Sequence, residues 1–149
     1  MINAKSLSPF DLIFSHTDDD GTTTHIAVGR LNEWCKVELS KGKIEVFKVP
    51  IDVEFAEWCV SNHGIEPHRL ARMVEHLSVL DTEPVIFVAW PNGSHLLADG
   101  NHRYVSAARA GHTEINAFVL TDTEWWPFQI KGLPHLSMDL VQSGRSGIG

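Results

Sequence analysis

The run Ala98-Asp99-Gly100-Asn101-His102-Arg103 sets five glycine or polar residues in unbroken succession between an expected strand and an expected helix. A strand that ends in a glycine-containing turn and opens a helix presents unpaired backbone N–H groups at the positive end of the helix dipole. Gly100 lets a ligand approach the backbone closely, Asn101 and His102 offer donors, and Arg103 offers a fixed fork suited to phosphate oxygens. Asp99 only accepts, so it suits a metal ion or a substrate hydroxyl. The bland alternative is a plain turn: Asp99 caps the helix, Gly100 eases the bend, and His102 and Arg103 face solvent. The length of the polar run, directly after a buried hairpin, favours an anion site.

The flanking elements follow from pattern. Pro84 to Trp90 is a buried apolar strand, Pro91-Asn92-Gly93-Ser94 turns it, and His95 to Ala98 returns antiparallel. Tyr104 to Ala110 is an Ala-rich helix ended by Gly111, and Ile115 to Leu120 is a last strand. Thr121 to Glu124 is a cap or turn, and Trp125-Trp126-Pro127-Phe128 covers a core edge. Upstream, Asp11–Phe14 and His25–Leu31 predict a hairpin around the turn cluster Thr17 to Gly21. The alternation in Val37–Ser40 and Lys43–Phe47 predicts a second hairpin around Lys41-Gly42. Phe47–Val49 ends at Pro50, which stops a central strand. Asp52 caps a helix to about Val60, with Phe55, Trp58 and Cys59 on its apolar face. Pro67 opens another helix, with Leu70, Val74 and Leu77 as its core stripe. Arg69 and Arg72 lie off that stripe, either solvated or as further phosphate contacts.

Bulk properties exclude several classes. The chain has 149 residues, is 43% hydrophobic and 21% charged, and carries a net charge of −7 with only 12 Lys and Arg. That describes a folded domain with a real core and disfavours a broad DNA-binding surface. Cys35 and Cys59 form no CxxC pair and read as buried or free thiols of a reducing cytoplasm. The first ten residues lack an apolar signal core, and no apolar run reaches membrane-spanning length. Nine histidines include no HExxH or HxxxH pair, which points away from structural zinc. The expected location is cytoplasmic, with no membrane partner.

With these parts in order, the chain resembles the ParB/sulfiredoxin fold from about Val46 to Leu120. The resemblance rests on the strand ending near Pro50, the helix carrying Arg69, the entry Glu83-Pro84-Val85-Ile86, the run Leu97 to Ala108, Gly111, and the strand Ile115 to Val119. It implies an α+β fold with a small mixed sheet and flanking helices, preceded by N-terminal β-hairpins. The implied organisation is a hairpin extension (1–45), the core (46–122), and a C-terminal extension with a flexible tail (123–149), all in one compact domain. Members of this group bind nucleotide phosphates at the corresponding turn: partition proteins take CTP, sulfiredoxins ATP, and a free-serine kinase carries an Asp-Gly-His-His-Arg version. Some plasmid and phage members are associated with ATPase or nuclease activity.

Here Asn101 stands where sulfiredoxins carry the catalytic cysteine, which removes sulfinic-acid chemistry. The helix-turn-helix domain that follows in partition proteins is not expected after Leu120. The form is nearest the kinase-like branch. The resemblance implies that ATP, ADP or CTP is bound with magnesium and that a phosphoryl group is hydrolysed or transferred. Gly100, Asn101, His102, Arg103 and Arg69 would bind phosphate. Asp99 would position magnesium or the nucleophile, His102 would be phosphate ligand or proton donor, and Glu54 or Asp52 would match the family's acid after its first strand.

Three other readings compete. His95 through Arg103 is similar to the core motif of Fic proteins, AMP transferases that would use His95 as base and need an all-helical surrounding. The motif is also similar to that of HNH nucleases, whose further partners are missing. Alternatively the chain is a non-catalytic binding or inhibitor module of a phage or plasmid, acting on a protein partner through residues 1–45. DNA as a partner is not favoured by net charge.

Overall fold

The computed structural model describes residues 1–62 and 83–133. Its strands form two four-stranded mixed sheets, so the fold is α+β. The first sheet is ordered β1 (Ile2–Asn3), β8 (Gln129–Lys131), β3 (Thr23–Ala27), β2 (Ile13–Thr17). The second is ordered β4 (Phe47–Pro50), β7 (Glu114–Leu120), β5 (Val85–Ala89), β6 (His95–Asp99). Residues from both ends of the chain thus build one sheet, and the central stretch builds the other.

The β2–β3 hairpin pairs Ile13 with Ala27 through Thr17 with Thr23. Its turn is closed by Gly21 N–H donating to the Asp18 carbonyl (2.9 Å) and Thr22 N–H donating to Asp20 Oδ1 (2.8 Å). The strands sit differently from the sequence expectation of Asp11–Phe14 and His25–Leu31, because the second gives way to helix α1 (Val28–Ser40). That helix also replaces the expected second hairpin. Val28, Leu31 and Cys35 are buried at helical spacing, whereas Val37 and Leu39, the apolar positions of the expected alternation, are exposed. The Lys41-Gly42 pair is the helix's C-terminal cap. Lys43 N–H reaches the Glu38 carbonyl (2.9 Å) and Gly42 N–H reaches the Leu39 carbonyl (3.0 Å), with Gly42 at φ +72°. A four-residue alternation lost to a longer 3/4 periodicity.

In the second sheet β4 lies at an edge, where Pro50 is tolerated, and β7 is central, antiparallel to β4 and parallel to β5. Helix α2 (Val53–Asn62) starts where Asp52 Oδ1 accepts from Phe55 N–H at 3.2 Å. It buries Ala56 and Cys59, while Trp58, expected on the buried face, is half exposed and stacks on Phe55. Helix α3 (Asn101–Arg109) follows β6, and the short helix α4 (Asp122–Trp125) follows β7. Thr121 and Glu124 form a capping box at the start of α4, with Thr121 N–H donating to Glu124 Oε1 at 2.8 Å. The expected helix opened by Pro67, with Arg69 and Arg72, and the tail 143–149 lie outside the described residues.

One apolar cluster joins the two sheets: Phe14 and Ile26 of the first and Leu31 of α1 pack with Ile86, Val88, Phe118 and Leu120 of the second. Burial pushes the Cys35 and Cys59 thiols up to about 12, so both stay protonated inside the fold. His25 is buried on β3, with Nδ1 2.8 Å from Ser15 Oγ. Burial lowers its pKa below 6.5, so the unfolded chain takes up a proton that the folded chain resists, and stability falls as pH drops through that value. The urea midpoint is therefore expected to be lower at about pH 5 than at about pH 7.5, with a smaller difference in His25→Gln. An unchanged difference in the variant would assign the effect to other groups.

Candidate functional site

The turn between β6 and α3 is built by packing. Gly100 has φ +95° and ψ 28°, the left-handed region, as residue before the helix. A Cβ there would lie 2.5 Å from Val85 Cγ1 on β5. Only glycine combines that φ with so close an approach to the neighbouring strand. The β5–β6 ladder slips by one residue just before it, pairing Phe87 with Leu97 but Ile86 with Asp99, so Ala98 is a bulge residue. A bulge turns the strand locally and re-aims the side chain that follows, here Asp99.

Asp99 at the end of β6 and Arg103 in the first turn of α3, four positions on, form an ion pair (Oδ2 to Nη2, 3.2 Å) with side chains 13% and 16% exposed. The other guanidinium nitrogen, Nη1, donates to Glu83 Oε2 at 3.2 Å. Glu83 is 57% exposed and is also reached by Lys36 Nζ of α1 at 3.7 Å. Burial pushes the Asp99 carboxyl above the ordinary carboxylate range, while Arg103 and the Gly100 N–H oppose that rise. His102 is buried and the Arg103 side chain largely enclosed, so neither faces solvent as a plain turn would have it, and Asn101 is buried as well. Both amide atoms of Asn101, together with Arg103 Nε and Ser106 Oγ, are buried without a hydrogen-bond partner among the described residues. Native interiors rarely leave such atoms unpaired unless water or a ligand meets them.

The structure therefore gathers Asp99, Gly100, Asn101, His102 and Arg103 at one helix start. The chain matches no protein-family model, no curated protein and no solved structure. The site therefore has to be read from its own geometry. Among the described residues no group of three or more His, Cys, Asp or Glu converges on a possible metal position. Asp99 and Glu83 share the one guanidinium of Arg103.

Other expected residues stand apart. Glu54 is exposed in the first turn of α2, and no hydrogen bond or ion pair joins it to the turn. Asp52 caps α2, and its N–H donates to the Tyr104 hydroxyl at 2.8 Å, tying α2 to α3. His95 is exposed at the far end of β6 from Arg103, and the motif spans a strand and a helix start rather than an all-helical unit. Arg69 lies outside the described residues. Glu83, Lys36 and Ser106 were missed as site residues. Glu83 had a signal: in an antiparallel hairpin, the residue entering the first strand lies beside the one leaving the second.

Proposed function

We propose that the turn 99–103 holds the phosphates of a nucleotide, as in ParB/sulfiredoxin-like proteins, and that the chain hydrolyses or transfers a phosphoryl group with magnesium. The observation that carries this reading is the set of unpaired buried polar atoms of Asn101 and Arg103 at the first turn of α3. An anion there would meet the helix N-terminus and the guanidinium together. The Glu83 carboxylate, half exposed on Arg103, is the group a phosphate oxygen would replace. Asp99 beside that position repels a bare phosphate, which favours delivery with magnesium. Bound magnesium would offset phosphate charge, and Asp99 would orient it or the attacking group. His102 would serve as phosphate ligand or proton donor.

The test is a thermal-shift titration with ATP, ADP and CTP, with and without magnesium, followed by phosphate release. A ligand at about a hundred times its Kd stabilises the fold by about 2.7 kcal/mol, a shift of about 5–11 °C for a chain of this length. The expected result is a magnesium-dependent shift, with turnover lost in Asp99→Asn. A shift without turnover would leave a nucleotide-binding module acting through a partner. No shift with any nucleotide would overturn the reading.

A further inference from the structure

A cavity lies at the far end of β5, about 13 Å along the strand from Gly100's neighbour Val85. Its volume is about 410 Å³, and it opens between the two sheets. Its walls include Asp18, Trp90, Asp122, Trp125, Trp126 and Gln129. The size falls in the range of small-ligand pockets.

Three indoles form a column in this wall. Trp90 and Trp125 stack at 5.2 Å with planes 8° apart, and Trp126 continues the stack at 6.4 Å and 15°. Polar ends fix the two inner rings: Trp90 Nε1 donates to Asp18 Oδ1 and Trp125 Nε1 to the Ala89 carbonyl, both at 2.8 Å. Trp126 ends the column and is 52% exposed, so one face meets Trp125 and the other has no ring against it among the described residues. Among the described residues both ionisable groups in the wall are aspartates and no Lys or Arg lines it, and the whole chain carries −7. Asp18 Oδ2 and Asp122 Oδ2 accept no hydrogen bond among the described residues. His16 flanks the cleft, edge-on to Trp90 at 5.3 Å and 3.4 Å from Asp18.

An exposed indole face beside open carboxylate oxygens attracts a flat or alkylated cation through ring quadrupole and charge together. An anionic nucleotide would meet two carboxylates and no positive side chain. We propose that this cleft binds a guanidinium or alkylammonium group, carried either by an arginine or lysine side chain of a peptide or by a small free cation. This proposal is independent of the phosphate site, which lies at the opposite end of β5.

Intrinsic tryptophan fluorescence tests it, with N-acetyl-arginine amide, agmatine and the tripeptide Ac-Gly-Arg-Gly-amide as probes and N-acetyl-norleucine amide as the neutral control. The expected result is saturable change with the cationic probes, weakened by added salt and absent with norleucine. Trp126→Ala and Asp122→Asn, both at exposed positions, are each expected to weaken binding about five- to tenfold. Their urea midpoints, measured in parallel, report that the fold is retained. Tighter binding of the tripeptide assigns the cation to a peptide, and equal or tighter binding of agmatine assigns it to a free metabolite. Norleucine binding as tightly as arginine, or no saturation with any cationic probe by wild-type protein, would overturn the proposal.

Discussion

Gly100→Ala is expected to destabilise the protein by about 2–5 kcal/mol, a large share of the margin of a domain this size. Two separate costs add. An L-residue held at φ +95° pays about 1–2 kcal/mol for the left-handed region. The new Cβ would stand 2.5 Å from Cγ1 and 2.9 Å from Cβ of Val85, a fully buried strand residue that cannot swing aside. Relieving such overpacking costs about 1–3 kcal/mol. The Arg103 Nη2 contact at 2.9 Å is the end of a flexible side chain and yields more easily, at the expense of its bond to Asp99. A double-mutant cycle with Val85→Ala separates the costs. Trimming Val85 should relieve the 2.5 Å contact with Cγ1 and leave the 2.9 Å contact with Cβ and the backbone strain, so the double variant is more stable than the sum of the singles predicts. Strict additivity in urea unfolding would mean that β5 shifts rather than clashes.

That glycine, and the strand-to-helix framework around it, was legible in the sequence. A Gly between a buried apolar hairpin and a run that changes period is a strong local signal, and β5, β6 and β7 stand where the pattern put them, while α3 starts at Asn101, three residues before the expected Tyr104. The N-terminal third was legible only in part. Four alternating residues, Val37–Ser40, carry too little periodic information to oppose a helix whose buried stripe begins at Val28, and Lys41-Gly42 serves equally as hairpin turn and helix cap. The bulge at Ala98 had no signal, since a small buried residue fits a regular ladder as well as an irregular one. The pairing of β8 with β1 and β3 joins residues more than a hundred positions apart, and a three-residue strand announces no partner.

These long-range pairings give the site its electrostatics. α1 belongs to the segment expected to be a hairpin extension, yet its Lys36 reaches Glu83 and so extends the ion-pair chain from α1 to Arg103 and Asp99. Sequence reasoning saw an isolated Arg103 ready for phosphate. In the folded chain that arginine already holds two carboxylates, one enclosed and one at the surface. On the proposed reading a phosphate would compete with the surface carboxylate, Glu83, while the enclosed Asp99 holds the guanidinium in place.

Removing the guanidinium separates its structural role from its binding role. Arg103→Ala leaves Asp99, 13% exposed, without its counter-charge, a change that costs about 3–5 kcal/mol for a buried pair. The cost depends on pH in a defined direction. Burial already raises the Asp99 pKa above 3.8 and Arg103 restrains the rise, so the variant's carboxyl climbs further. The native state then holds a proton that the unfolded chain releases, and stability falls as pH rises through the interval between those two pKa values. The deficit of Arg103→Ala should be small at about pH 4 and full at about pH 7.5, read as urea midpoints. Asp99→Asn in the same chain removes the charge and should recover most of the neutral-pH loss. A deficit that stays flat with pH would assign the cost to lost packing of the arginine stem. Arg103→Lys keeps a point charge for Asp99 but loses the two-pronged fork. Its stability should approach wild type while magnesium-nucleotide binding weakens about tenfold or more. Nucleotide binding at wild-type strength in Arg103→Lys would place the phosphates elsewhere than on this guanidinium.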